Sequence, residues 1–479
     1  MSFATRGIAI GVAMLSAFAS TSVSAASPSA SNRPVDDCKP RITANSNSVE
    51  IGFARPPSRT RTTGSVVLTP VFVDFPDARA GTPAGSYYDT FVPEAVRALE
   101  SLSYGRLDIV STRPSTWLRM PRSTTDYPYR RGMSGADHLD LIRDAIQIAD
   151  PTTDFTRTDL YLVVMPPQVS NRNFETSAAI MGTPAFGVLA DGNFLMNGVT
   201  VGTDWPFVRS KVVAHELLHS LGLVDLYDGY GPWTSPADGN RYVGPYSVMG
   251  NVSGVASELF AWERWVLGWI DDTQAVCLGR EDQELTLESV AVASSRTKIA
   301  AIPLGGSRFL ALEARTREGL DRSGYEGVLP YVVDPSISTA RGPIRVPPSS
   351  PPLVVQPFPV GKATVVEGLG VEVLSRQGSA FTIRLYASPP QPTPPGDVLG
   401  LRLSSRLGTV TASWQEPLKT GWTAISHYEY RVGTGAWTSA ALTQASIKGL
   451  RRGSRVTLEV RAVNAAGTGP AKAVSGIVR

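Results

Sequence analysis

His215-Glu216-Leu217-Leu218-His219-Ser220-Leu221-Gly222-Leu223-Val224-Asp225 is the stretch from which the rest of this chain can be read. Four residues of an α-helix turn through about 400°, so His215 and His219 leave one face and can grip one ion. Neutral imidazole nitrogen suits Zn2+ at about 2.0–2.1 Å. Glu216 projects beside them, where its carboxylate can hold a water and take its proton. Gly222 can adopt the left-handed conformation that ends a helix and reverses the chain. Asp225 then falls at the third-ligand position of the extended His-Glu-x-x-His-x-x-Gly-x-x-His pattern, with a carboxylate in place of the third imidazole. Three protein ligands leave zinc the open position that a catalytic site needs. Asp228 is the rival third ligand; its other reading is a residue that holds the turn or another cation.

Composition agrees with chemistry concentrated in one place. The 479 residues are 42% hydrophobic and 18% charged, which suits a packed core and excludes wholesale disorder. That length is enough for roughly two to four domains. Lys+Arg 45 against Asp+Glu 42 leaves +3, with no long basic block, so nucleic acid is not an expected partner. With only 4 His and 2 Cys, zinc ribbons, iron–sulfur sites and disulfide-dense scaffolds are excluded. His138 and His427 lie outside the motif and read as structural or exposed polar residues.

The first residues read as a secretory signal over 1–25: Arg6 is the positive end, Ile8 to Phe18 the apolar stretch, and Val23-Ser24-Ala25 the cleavage site. That run is too short to span a bilayer, which takes about 20 apolar residues. No later segment reaches that length, so a soluble, extracellular protein with no membrane span is expected. Export makes one Cys38–Cys277 disulfide the simpler reading. The alternative is that Cys38 ligates the metal from an inhibitory segment, Val35-Asp36-Asp37-Cys38-Lys39-Pro40-Arg41.

Outward from the motif, residues 26–62 are rich in Ser, Asn, Pro and Arg and suggest a loosely ordered tail or short pro-segment. The expected catalytic domain covers 63–275. Ser65 to Val73 reads as a strand, with Pro70 at a bulge or edge. Pro93 to Ser103 and Ala136 to Ala149 read as helices, and Asp159 to Met165 as a buried strand. Ala178 to Gly202 suggests an irregular hairpin or edge strand that could align extended substrate by backbone pairing. Asp204 is the expected N-cap of the motif helix, with Pro206 in its first turn. Ala256 to Ile270 reads as a further helix with an aromatic core stripe. Alternating helices and strands point to an α/β or α+β core. Residues 276–387 form short β-like runs, 388–397 a Pro-rich linker, and 398–479 strands at sandwich spacing.

Tyr246-Ser247-Val248-Met249-Gly250 follows the motif across a long loop. Met249 matches the methionine that underlies the metal in zinc peptidases with an extended motif, and Tyr246 is a candidate for oxyanion stabilisation or simple packing. His215 to Asp228, Gly244-Pro-Tyr-Ser-Val-Met-Gly-Asn251 and Ala261-Trp-Glu-Arg-Trp-Val-Leu-Gly-Trp269 together resemble the immune inhibitor A family of secreted bacterial metallopeptidases. Phe72-Val-Asp-Phe-Pro-Asp77 and Ser103-Tyr-Gly-Arg-Leu107 resemble that family's catalytic half. Leu312-Glu-Ala-Arg315 and Gly327-Val-Leu329 resemble the β-rich region behind it. The resemblance implies an α+β, metzincin-like domain and extracellular proteolysis over roughly 65–386. Val224 departs from the proline common there, while His215, Glu216, His219 and Asp225 are intact. The family often carries calcium, yet no calcium-loop motif is present here.

Residues 398–479 resemble a fibronectin type III domain. Trp414 lies in an early strand, Tyr428 and Tyr430 in a later one, and Val456 replaces the usual corner tyrosine. Such modules are spacers or surface and matrix contacts. The expected function is a secreted zinc endopeptidase acting on protein or peptide substrates. Its alternatives are a catalytically inactive, metal-stabilised adhesion protein, and a zinc hydrolase acting on a non-peptide bond.

Overall fold

The computed structural model describes residues 32–42, 50–231, 239–250, 252–253, 258–321, 324–347, 356–406 and 408–479. The expected signal segment at 1–25, parts of the 26–62 tail and the expected start of a helix at Ala256 lie outside them. Among the described residues, no helix is long and apolar enough to cross a membrane.

A mixed sheet organises the first half. Its strands are β1 (Gly64–Asp74), β2 (Leu107–Ser111), β3 (Leu118–Arg119), β4 (Leu160–Val164), β5 (Ala178–Met181) and β6 (Asn197–Val201). They are ordered β2-β1-β4-β6-β5, with β3 continuing beside β1, and only β5 runs antiparallel to its neighbour. Helices α1 (Val92–Leu102) and α3 (Arg209–Leu221) cover one face, where Val66, Leu68, Leu162 and Val164 pack on Leu99 and Leu217. Helix α2 (Gly135–Ala149) covers the other, with Leu139, Ile142 and Ile146 against Val71, Val73 and Val163. Alternate residues of β1 and β4 thus feed opposite cores, as period-two strands buried on both faces do.

Three local expectations are corrected. Pro70 sits in an inner strand, at the gap between the β2 ladder, which ends at Leu68, and the β3 ladder, which begins at Val73. No neighbour there needs its missing N–H. Asp204 does not cap the motif helix: its carboxylate accepts from the Ser177 amide and hydroxyl, and a 3-10 turn at Pro206–Val208 precedes α3. The last aromatic helix, α4, is only Ala261–Val266. The Glu263 carboxylate accepts from the Phe260 amide and starts it, and Gly268 at φ 72° turns the chain out of it.

The β-rich region is built onto this core rather than beside it. Strands β7 (Ala275–Leu278), β9 (Ile299–Gly305), β10 (Arg308–Arg315), β11 (Gly327–Val333) and β12 (Ile344–Arg345) form one sheet with Asn32–Arg33. A second sheet holds β8 (Gln283–Glu288), β13 (Ala363–Val366), β14 (Leu369–Gln377) and β15 (Ala380–Tyr386). Ile299, Ala301, Phe309, Ala311 and Tyr331 face the first half, in one cluster with Trp262 and Leu218. Ala300, Ile302, Leu310 and Leu312 face Val371 and Ile383 of the second sheet. The boundary expected at 275/276 therefore crosses a shared core.

The tail is likewise integral where described. Cys38 is bonded to Cys277, which removes the alternative of Cys38 as a metal ligand. Trp262 and Trp269 donate their indole N–H groups to the carbonyls of Ile51 and Thr62, and the Thr60 amide donates to Ser220 at the end of α3. Residues 50–62 are thus a strap over the motif helix, not a loose tail.

The C-terminal module is a fibronectin type III-like sandwich. Leu399–Arg406, Thr409–Gln415 and Gln444–Ile447 make a three-stranded sheet. Thr438–Ala440, Ile425–Val432 and Arg455–Asn464 lead the facing sheet, to whose last strand Gly467–Thr468 and Lys472–Ile477 are added. Trp414 lies edge-on to Tyr428 over Leu458 and Val460. The linker before it is tied down, not free: the Asn464 side-chain amide donates to the Thr393 carbonyl at 2.7 Å. Lys362 pairs with Glu416 at 3.2 Å, docking the module on the β-rich region.

Candidate metal centre

Helix α3 ends in a hydrogen-bonded reversal that does chemical work. The Leu223 amide donates to Leu218 and the Gly222 amide to His219, at 3.0 and 2.9 Å. Gly222 has φ 114°, which favours glycine, and a Cβ there would lie 2.9 Å from Arg55 Cδ, so that side chain would have to shift. The reversal brings the Leu223 carbonyl back to within 3.0 Å of His219 Nδ1. The Val248 carbonyl lies 3.0 Å from His215 Nδ1.

Those two contacts settle both tautomers. A carbonyl oxygen only accepts, so each Nδ1 carries a proton, and in the neutral ring each Nε2 presents a lone pair. The two Nε2 atoms are 3.2 Å apart. Asp225 Oδ1 lies 3.2 Å from both. It has no hydrogen-bond partner although buried. Three donor atoms thus lie at the corners of an equilateral triangle. A tetrahedral ion with donors at about 2.0–2.1 Å would hold them about 3.3 Å apart. The residues present therefore fit zinc in number, donor type and spacing, and among the described residues this is the one group of three or more such side chains close enough to share a metal.

The electrostatics point the same way. Burial lowers the His219 pKa, but the Asp225 and Glu216 carboxylates override it and raise it to about 9. Burial raises Asp225, and the His219 and His215 imidazoles outweigh it, holding the carboxyl well below the usual carboxylate range. The triangle demands positive charge at its centre. Glu216 is buried beside it, and that burial raises its pKa although both imidazoles oppose the shift. A carboxylate so placed is a better proton acceptor than one in water.

The remaining sequence candidates separate cleanly. Asp228 holds the turn: its Oδ1 accepts from the Tyr230 and Gly231 amides at 3.1 and 2.9 Å, and its Oδ2 pairs with Arg241 at 3.0 Å. Met249 is fully buried, and its turn serves the site through backbone: its carbonyl accepts from the Leu226 amide at 3.0 Å, next to the Val248 carbonyl that orients His215. Tyr246 is fully buried with the Arg315 guanidinium 5.7 Å from its ring, so it is a packing residue rather than a cleft residue. The tyrosine that lines the cleft is Tyr227, stacked 6.4 Å from His215. Burial raises its pKa, and Asp225 and Glu216 raise it further, so its hydroxyl stays protonated as a donor. Sequence reading missed it; its only signal was its place two residues after Asp225.

A cavity of about 1160 Å3 opens over Glu216 and His215. One wall is β5, Ala178–Met181, the edge strand of the sheet, bonded to β6 on its other side. The rest of the expected Ala178–Gly202 edge is not an edge: 188–190 and 193–195 form a separate hairpin, and β6 lies inside the sheet. Arg59, Arg130 and Arg131 also line the cavity.

No family model matches this sequence, and no curated protein matches it either. Solved structures similar to part of the chain include fibronectin type III domains. The extracellular region of rat CD45, domains d3-d4, is 13% identical over 22% of this chain and 63% of its own, with TM-score 0.18. The sixth fibronectin type III domain of human fibronectin type III domain containing protein 3 is 21% identical over 18% of this chain and 89% of its own, with TM-score 0.17. A structure of titin kinase and its flanking domains is 20% identical over 18% of each chain, with TM-score 0.17. The chain thus spans less than two thirds of the CD45 and titin structures. The fibronectin-like reading of the C-terminal module rests on its own strand order.

Proposed function

We propose that this chain is a secreted zinc endopeptidase of the immune inhibitor A type, with a metzincin-like catalytic half. The observation that carries the reading is the convergence of His215 Nε2, His219 Nε2 and Asp225 Oδ1 beside the buried carboxylate of Glu216. Zinc bound there would supply a Lewis acid for the scissile carbonyl and acidify water. Glu216 accepts the proton of the attacking water and returns it to the departing amine. Tyr227 offers its hydroxyl to the oxygen that gains charge. The open side of β5 aligns an extended peptide by backbone pairing, which favours peptide over other substrates. Export is supported by the N-terminal pattern and by the Cys38–Cys277 bond, which suits an oxidising compartment.

The test is cleavage of a denatured protein by the purified protein and by Glu216→Ala, with and without chelator, mapped by mass spectrometry. Cleavage lost in both the variant and the chelated sample is expected. Equal cleavage by both proteins would overturn the mechanism.

A further inference from the structure

Asp225 follows the last turn of α3, so no helical hydrogen bond fixes its peptide groups. What fixes them comes from the β-rich region. The loop 334–343 joins β11 to β12 and lies across the third ligand. Thr339 Oγ1 accepts from the Asp225 amide at 2.9 Å, across a separation of 114 residues. The Ala340 amide donates to the Asp225 carbonyl at 2.9 Å, and the Ala340 carbonyl accepts from Gly229 at 3.0 Å. Thr339 also reaches the small cavity bounded by His219 and Asp225.

The loop is itself stiff. Asp334 accepts from the Ser336 amide at 3.1 Å and from the Ser307 hydroxyl at 2.6 Å, and its own amide donates to Pro343 at 2.8 Å. Ala340 is held at φ 58°, a conformation that a non-glycine residue keeps only when its surroundings fix it. The same sheet grips the opposite flank of the site. Arg315 of β10 donates to the carbonyls of Tyr246 and Leu259 at 3.2 and 3.0 Å, bracketing the turn whose Val248 carbonyl orients His215.

We infer that the β-rich region is a positioning part of the metal centre, and that Thr339 is the residue through which it sets the third ligand. This rests on the metal reading of the triangle. Outer partners of metal ligands typically change metal affinity by about 10- to 100-fold. Thr339 acts through the peptide rather than the carboxylate, so about tenfold is expected.

Zinc affinity is to be measured by chelator competition on the full chain for the wild type, Thr339→Val, Thr339→Ala and Thr339→Ser, with near-UV circular dichroism to confirm folding. Val keeps the shape and loses the acceptor; Ala carries the same test if Val does not fold. About tenfold weaker zinc binding in Val or Ala, with Ser near wild type, is expected. A wild type that binds zinc while folded Val or Ala binds it equally well overturns this inference alone. A wild type that takes up no zinc overturns the metal reading with it.

Discussion

Nε2 of His219 and Oδ1 of Asp225 lie 3.2 Å apart, and with the Nδ1 proton of His219 committed to the Leu223 carbonyl it is Nε2 that faces the carboxylate. Such an approach is favourable only with positive charge there, carried by a proton on Nε2 or by an ion that takes its place. His215 Nε2 stands in the same relation to Asp225, its Nδ1 facing the Val248 carbonyl.

Metal removal should therefore cost stability. An ion that binds only the folded chain stabilises it by about 4 kcal/mol at a thousandfold excess over Kd. Thermal unfolding with added zinc should occur at a higher temperature than with chelator, and Asp225→Ala should abolish the difference. A zinc response that survives in Asp225→Ala would place the stabilising ion elsewhere.

The disulfide should matter to stability and not to the metal. Cys38 and Cys277 are 239 residues apart, and removing a native bridge typically costs about 2–5 kcal/mol. The double variant Cys38→Ser, Cys277→Ser should melt earlier, yet retain one zinc per chain by elemental analysis. Zinc lost together with Cys38 would restore that residue as a ligand.

His138 gives the fold an acid limit. It is buried in α2, its Nε2 2.8 Å from Thr200 Oγ1, and burial lowers its pKa from 6.5 to about 4. A base with a depressed folded pKa binds its proton more readily when unfolded. Its contribution is therefore present above about 6.5 and lost as pH falls towards about 4. Over that window His138→Gln should lose less stability than wild type, by up to about 3 kcal/mol. Parallel stability–pH curves for the two proteins would contradict the assignment.

The sequence was most legible where the chemistry is local. Spacing alone put His215 and His219 on one helix face, and Gly222 marked the reversal that delivers Asp225. The helix at Gly135–Ala149 was readable from its apolar spacing, and the strand at Leu160–Val164 from an unbroken apolar run that stops at Pro166-Pro167. What stayed hidden depends on residues distant in the chain. Nothing near Thr339 announces that it meets Asp225, and nothing near Ile51 announces that it receives Trp262. The aromatic stripe after Ala256 looked helical to Ile270 because its apolar spacing runs on past Gly268, whose left-handed backbone ends the helix. Tyr246 beside the turn drew attention from Tyr227, although only the fold decides which ring meets the cleft.

The proposed function requires one zinc ion held by His215, His219 and Asp225. Anomalous diffraction from crystals of the purified protein, collected on both sides of the zinc edge, tests it most directly. A single strong zinc peak is expected at about 2.0–2.1 Å from each of the three ligand atoms. Zinc density elsewhere with none at that point, in crystals grown with zinc, would contradict it.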